Sequence, residues 1–254
     1  MRNFFIAICL FISIGSREQV IRANPFYSAP ASSSSLLTSL VSYWKLDETS
    51  GNAADSYGSN TGTATSITYS NTGILNNCFT FNGTTSKVDC GNSTSLNLTS
   101  AGSISAWFNW TFNSSTYYSI VSKGDFDNDR YGYSILIAFG SIEIQFANAS
   151  THQTFSPQIG GGGISTNGAG WHHVVLTWDG SNINFYYDGT AATTVAQTVT
   201  PVSNSYNFGI GWIPHDNGYF FPGKIDEVAA WSRVLTGTEV ATLYNSGSGK
   251  SYPF

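Results

Sequence analysis

Short apolar runs recur about every ten residues from Leu40 to Trp231, and most of them close on a turn pair. They read LVSYWKL, CFTFNG, KVDCGN, SISAWFNW, YYSIVSKG, YSILIAFG, SIEIQFAN, WHHVVLTWDG, NINFYYDG, NFGIGW and GKIDEVAAW. Runs of this length separated by Asn-Gly, Asp-Gly and Gly-Ser pairs are too short for helices with a buried stripe. They predict an all-β, two-sheet antiparallel sandwich or jelly roll. Twenty-six glycines in 254 residues fit that many turns, and 41% hydrophobic content is enough for one large core.

Several runs alternate: Ile142, Ile144 and Phe146 are spaced by Glu143 and Gln145, as in a half-buried strand. In WHHVVLTWDG, residues 171–180, adjacent side chains point to opposite faces, so His172 and His173 do not chelate one ion and are read as structural. FTFNGTTSKVD reads as a hairpin turning near Gly83. Strand parity then puts Phe79 and Phe81 on one face with Val88 and Cys90, and Cys78 on the other, so a Cys78–Cys90 disulfide requires a bulge. The pairing stays open.

One helix is signalled. TGTEVATLYNSG sets Thr236 as N-cap and Glu239 as the third helical residue, a capping box, and Asn245 to Gly247 form the stop. A helix there is expected to plug an edge of the sandwich. At the other end, FFIAICLFISIG after Arg2 has the proportions of a secretory apolar segment, so residues 1–23 are read as a signal peptide or leader, with membrane attachment only if it stays uncleaved. Residues 24–39 are Pro/Ser-rich and read as a linker, and residues 40–254 as the domain. Fifteen acidic against ten basic residues, with no basic run, exclude a nucleic-acid groove.

With the elements in this order, the chain resembles the laminin-G-like, concanavalin A-like jelly-roll family. The motifs that carry the resemblance are YWKLDETSGNAADSYGSNTG, FTFNGTTSKVD, SISAWF, WHHVVLTWDG, FYYDG and YFFPGKIDEVAAWSRVLTGTEVATLY. The resemblance implies a module of extracellular adhesion, of carbohydrate binding beside secreted enzymes, or of bacterial, phage and viral surfaces. It also suggests a structural calcium ion where the first and last strands meet. Asp47 or Glu48 would supply a carboxylate, the Asn82-Gly83 loop a carbonyl, and Asp226 its side chain and carbonyl; turn capping is the other reading of these carboxylates. DFDNDRYG is a weaker candidate for the same chemistry, since turns rich in Asp and Asn supply oxygen ligands.

Related glycoside hydrolases carry Glu-x-Asp-x-x-Glu on one strand. This chain has no such spacing and no nucleophile elbow, so a non-catalytic module is expected. For sugar binding, exposed aromatics beside planar polar groups are the useful chemistry. GWIPHDNGYFF, residues 211–221, offers Trp212, His215, Asp216, Asn217 and Tyr219, and its Pro, Asn and Gly break the strand and free the aromatics from the core. Arg130 and Tyr131 in DRYGY add to them, as do Trp110, Tyr117 and Tyr118 in NWTFNSSTYY. Asn82, Asn92, Asn97, Asn109, Asn113 and Asn148 stand in Asn-x-Ser/Thr sequons. The expectation is a secreted or surface-displayed glycan-binding module, with a structural or virion-associated assembly protein as the alternative.

Overall fold

The computed structural model describes residues 33–110, 116–125, 131–159, 162–164 and 170–254. The leader, the linker up to residue 32 and Arg130 lie outside the described residues. In chain order the elements are α1 (Ser33–Leu37), β1 (Leu40–Trp44), β2 (Thr63–Thr65), β3 (Thr68–Thr72), β4 (Asn77–Asn82), β5 (Lys87–Asp89) and β6 (Gly102–Asn109). Then come β7 (Tyr117–Asp125), β8 (Tyr131–Ala138), β9 (Ser141–Ala147), β10 (His152–Phe155), β11 (Gln158–Ile159) and β12 (Gly162–Gly163). The last are β13 (Trp171–Trp178), β14 (Asn182–Tyr187), β15 (Thr190–Ala196), β16 (Phe208–Ile210), β17 (Pro222–Trp231) and α2 (Gly237–Tyr244).

Two antiparallel sheets face each other. One runs β15-β14-β13-β6-β17-β4-β3 with β1 also on β17, and the other β10-β9-β8-β7-β16-β5-β2. Phe79, Phe108, Leu176 and Ile225 from the first meet Ile135, Ile144, Phe208 and Ile210 from the second in the main core. All eleven apolar runs are strands. The strands without such a signal include β2, β3, β10 and β15, which are the outermost members of the two sheets. An outermost strand needs little apolar content, because it has one hydrogen-bonded neighbour and faces water.

The expected hairpin at Gly83 is absent, because β4 belongs to the first sheet and β5 to the second. The connection is a corner between sheets, capped by Asn82 Oδ1, which accepts the N–H groups of Thr84, Thr85 and Ser86. Both sheets face one core, so Phe79, Phe81, Val88 and Cys90 all point inward with no bulge. Cys78 and Cys90 are buried free thiols.

The capping box at α2 forms as expected, with Thr236 and Glu239 bonding reciprocally and Asn245 left-handed at the end. The helix plugs no edge. It lies on the outer face of the first sheet, where Val240 and Leu243 form a second core with Leu36, Tyr43, Val175 and Trp231. That face also takes the end of the Pro/Ser-rich segment. Leu36 of α1 is fully buried, and its carbonyl accepts the Trp231 indole N–H at 2.8 Å, so ordered packing begins before Leu40.

Candidate functional site

Two regions gather the polar and aromatic groups singled out above. The first is a seam in β17. Its partner is β4 over Pro222–Ile225 and β1 over Val228–Trp231, and its pairing with β6 shifts register between Asp226 and Ala229. At the changeover Glu227 adopts φ 49°. Loop residues fill the gap. Asp226, 0% exposed, accepts the N–H groups of Ile74 at 2.9 Å and Leu75 at 3.3 Å. Asp47 accepts Asn77 N–H at 3.0 Å and the Asn76 amide at 3.2 Å. Glu227 accepts the Tyr43 hydroxyl through Oε2, its buried Oε1 makes no close hydrogen bond among the described residues, and the Ser251 hydroxyl lies near the carboxylate. Burial, and then the Glu227 charge, push the Asp226 carboxyl up to about 9; burial pushes Glu227 up to about 7.

The Asn82-Gly83 loop takes no part in this seam. Asn82 is the cross-strand partner of Pro222, four positions from Asp226 and so about 13 Å along the strand at about 3.3 Å per residue. The groups that meet Asp226 are those of residues 73–77. A Cβ on Gly73 would collide with the carbonyl oxygens of Leu75 and Asn77 and with the Asp226 carboxylate. Glu48 turns away to cap Ala54 N–H at 2.8 Å. Among the described residues no three His, Cys, Asp or Glu side chains converge as metal ligands. An ion here would therefore rest on carbonyl oxygens as much as on carboxylates. That donor chemistry fits a hard cation, with Asp47, Asp226 and the Leu75 and Asn77 carbonyls as the set.

The second region is the loop after β16. Gly209 carries no side chain, and the Trp212 ring and Pro214 occupy the space where one would stand. Trp212 folds back, donates its indole N–H to the Val88 carbonyl at 3.0 Å, and is 4% exposed. Lys87 Nζ sits 4.1 Å from the ring centroid and donates to Asn217 Oδ1 at 2.8 Å. The strand break does not free this aromatic, because the loop curls over the sheet and the indole becomes its floor. His215, Asp216 and Asn217 form the exposed rim, with His215 Nδ1 2.9 Å from Asp216 Oδ1 and the Tyr206 ring edge-on to His215 at 5.1 Å.

Beside the rim runs an aromatic ridge that includes a residue sequence reasoning passed over. Phe139, 62% exposed at the β8–β9 turn, meets Tyr117 at 5.3 Å, and Tyr117 meets the half-buried Tyr219 at 6.2 Å. The Tyr219 carbonyl accepts Ser119 N–H at 2.9 Å, which fixes the loop to β7. Trp110 is a core residue and Tyr118 packs edge-on against it. Tyr131 lies on β8, and the structure describes its backbone alone. The histidine pair divides as strand alternation requires. His173 is buried beside its cross-strand neighbour Trp107, with Tyr244 stacked against both rings and Nε2 2.8 Å from Ser105 Oγ, while His172 on the other face pairs with Asp188 at 2.9 Å.

A family model described as the concanavalin A-like lectin/glucanases superfamily matches residues 82–241. No curated protein matches the chain in sequence. Among solved structures, the binding domain of Paraclostridial Mosquitocidal Protein 1 superposes with a TM-score of 0.67 at 16% identity, over 84% of this chain and 53% of that one. Domain 4 of AbnA, an extracellular arabinanase from Geobacillus stearothermophilus solved with arabinotriose, gives 0.61 at 17%, over 80% and 97%. A structure of botulinum neurotoxin type C, whose cell entry depends on two ganglioside molecules, gives 0.59 at 16%, over 85% and 53%. The chain spans about half the length of the toxin structures it matches. At these identities the likeness is one of fold.

Proposed function

The chain belongs to the concanavalin A-like lectin/glucanases superfamily, and from that premise we propose that it is a non-catalytic glycan-binding module, secreted or displayed at a surface. The observation that carries the reading is the ridge of exposed Phe139 and half-buried Tyr117 and Tyr219 beside the exposed His215–Asp216–Asn217 rim. A sugar ring presents a C–H face to an aromatic and hydroxyls to planar polar groups, and the two surfaces are adjacent here. The arabinotriose complex of the arabinanase domain and the ganglioside dependence of the neurotoxin are consistent with that use of the fold. A structural calcium ion held by Asp47, Asp226 and the Leu75 and Asn77 carbonyls belongs to the same reading; it would tie the 73–77 loop to β17.

A glycan array probed with the wild type, Phe139→Ala and a His215→Ala/Asp216→Ala variant tests it. Binding to at least one neutral or acidic glycan, weakened at least about tenfold in both variants, is expected; each removes contact without opening the core. No wild-type binding across the array, or binding that both variants leave intact, defeats the proposal. Trp212→Ala is unsuitable as a binding probe, because losing a buried indole costs about 3–5 kcal/mol of stability.

A further inference from the structure

The outer face of the first sheet is covered only in part by α1, α2 and the C-terminal tail. At its other end a groove of about 470 Å³ opens, lined by Thr80, Asn82, Asn109, Pro222, Gly223 and Lys224. Because Phe79, Phe81, Phe108 and Ile225 point into the core, their neighbours Thr80, Asn109 and Lys224 point outward. The registers place Thr68, Thr80, Lys224, Asn109 and Trp171 side by side across β3, β4, β17, β6 and β13. At about 4.8 Å per strand, Thr80 and Trp171 stand about 14 Å apart.

The polar groups in this row are poorly used. Thr80 Oγ1 is sealed, and among the described residues it makes no hydrogen bond to oxygen or nitrogen and has the Cys78 thiol beside it. The Asn109 amide makes no hydrogen bond among the described residues. The Lys224 ammonium, with three donors, has the Thr72 carbonyl at 3.5 Å. A buried hydroxyl left unmet is destabilising, so a partner that supplies its bond has free energy to gain. Asn82 is spent on its own turn, and Asp226, two residues beyond Lys224, is sealed against the 74–75 amides. Among the described residues lining the groove, Lys224 is the charged one.

We infer that this groove is a second saccharide subsite, selective for a sugar bearing a carboxylate or sulfate. The anionic group pairs with Lys224, ring hydroxyls bond to the Asn109 amide, and Trp171 lies one strand beyond for a neighbouring ring. Lys224 and Thr80 are cross-strand partners on one face, so a ligand paired with the lysine lies beside the Thr80 hydroxyl. The inference rests on the glycan reading above but uses a different sheet from the Phe139 ridge.

The test is amide NMR and calorimetry on the full chain, produced without glycosylation because Asn82 and Asn109 stand in sequons. The probes are 3′-sialyllactose and a hyaluronan tetrasaccharide, with lactose as the neutral counterpart. An acidic probe is expected to shift the amides of Thr80, Asn109 and Lys224 and to bind at least about tenfold tighter than lactose, the discrimination expected of one charge-assisted contact. Lys224→Gln should remove that preference and its salt dependence, while Phe139→Ala leaves both intact. Thr80→Val, which is isosteric, should weaken binding about threefold to tenfold. Shifts confined to Phe139 and residues 215–219 overturn this inference and leave the ridge standing. Groove shifts with lactose equal to those with the acidic probes, or persisting in Lys224→Gln, overturn the anionic assignment. No groove shift with either acidic probe at about 10 mM overturns the subsite, and a blank glycan array overturns both readings.

Discussion

Replacing Arg233 with alanine should detach the start of the domain from α2, and the loss can be worked from its contacts. The guanidinium meets Glu239 with two hydrogen bonds of 2.7 and 2.8 Å, and it reaches the carbonyls of Ser35, Thr38 and Val234 at 2.7, 2.8 and 3.0 Å. Arg233 is 22% exposed and Glu239 5% exposed in their side chains. Breaking a buried pair costs about 3–5 kcal/mol; partial exposure of the arginine lowers the expectation to about 2–4 kcal/mol. For a domain of this size that is a fall of roughly 5–15 °C in Tm. Burial pushes the Glu239 carboxyl up, but the Arg233 and Thr236 hydrogen bonds outweigh it and bring it down to about 2. A depressed carboxyl contributes stability that is full above the unfolded value near 4.5 and is lost as pH falls toward 2. The gap between wild type and Arg233→Ala should therefore narrow by at least about 1 kcal/mol between pH 7 and pH 3.5. Thermal melts by circular dichroism at both pH values, completed by Glu239→Gln and the double variant, measure it. A Tm loss below about 2 °C, a gap independent of pH, or zero coupling between the two sites would refute the reasoning.

Two further outcomes are expected. Burial lowers His173 to about 3, so below pH 6.5 the unfolded chain takes a proton that the native state refuses. Stability should drop by about 2 kcal/mol by pH 5. Urea midpoints at pH 7 and 5 should converge for His173→Phe, which keeps the ring stack; equal pH slopes in the two proteins would rule the histidine out as the cause. Calcium at about a hundredfold excess over Kd should add roughly 2.7 kcal/mol, or 5–10 °C in Tm, to the wild type. Asp226→Asn should lose that response and Asn82→Ala should keep it, whereas identical wild-type melts in calcium and in EGTA, after verified removal of bound ion, mean that the seam carboxylates only cap turns.

What the residue pattern reveals depends on how local its cause is. The α2 cap is written in four consecutive residues, Thr236 to Glu239, and it forms as read. The eleven apolar runs are legible because a strand buried within a sheet must be apolar; β15, TAATTVA, is an outermost strand and needs no such pattern. Nothing within FTFNGTTSKVD says whether its two halves pair or part, since either arrangement buries the same phenylalanines. The sheet assignment comes from β17 and β16, more than a hundred residues away. The same distance hides the seam: Asp226 bonds to amides 151 and 152 residues earlier, and motif order alone set the carbonyl at Asn82-Gly83, four positions too far along the strand. Exposure is the least local property of all. Trp212 stands in a loop broken by Pro and Gly and is buried because Gly209 leaves space for it. Phe139 ends an apolar run that reads as core, yet its left-handed turn conformation lifts it off the sheet, and the ring best placed to stack on a sugar is the one the pattern would assign to the interior.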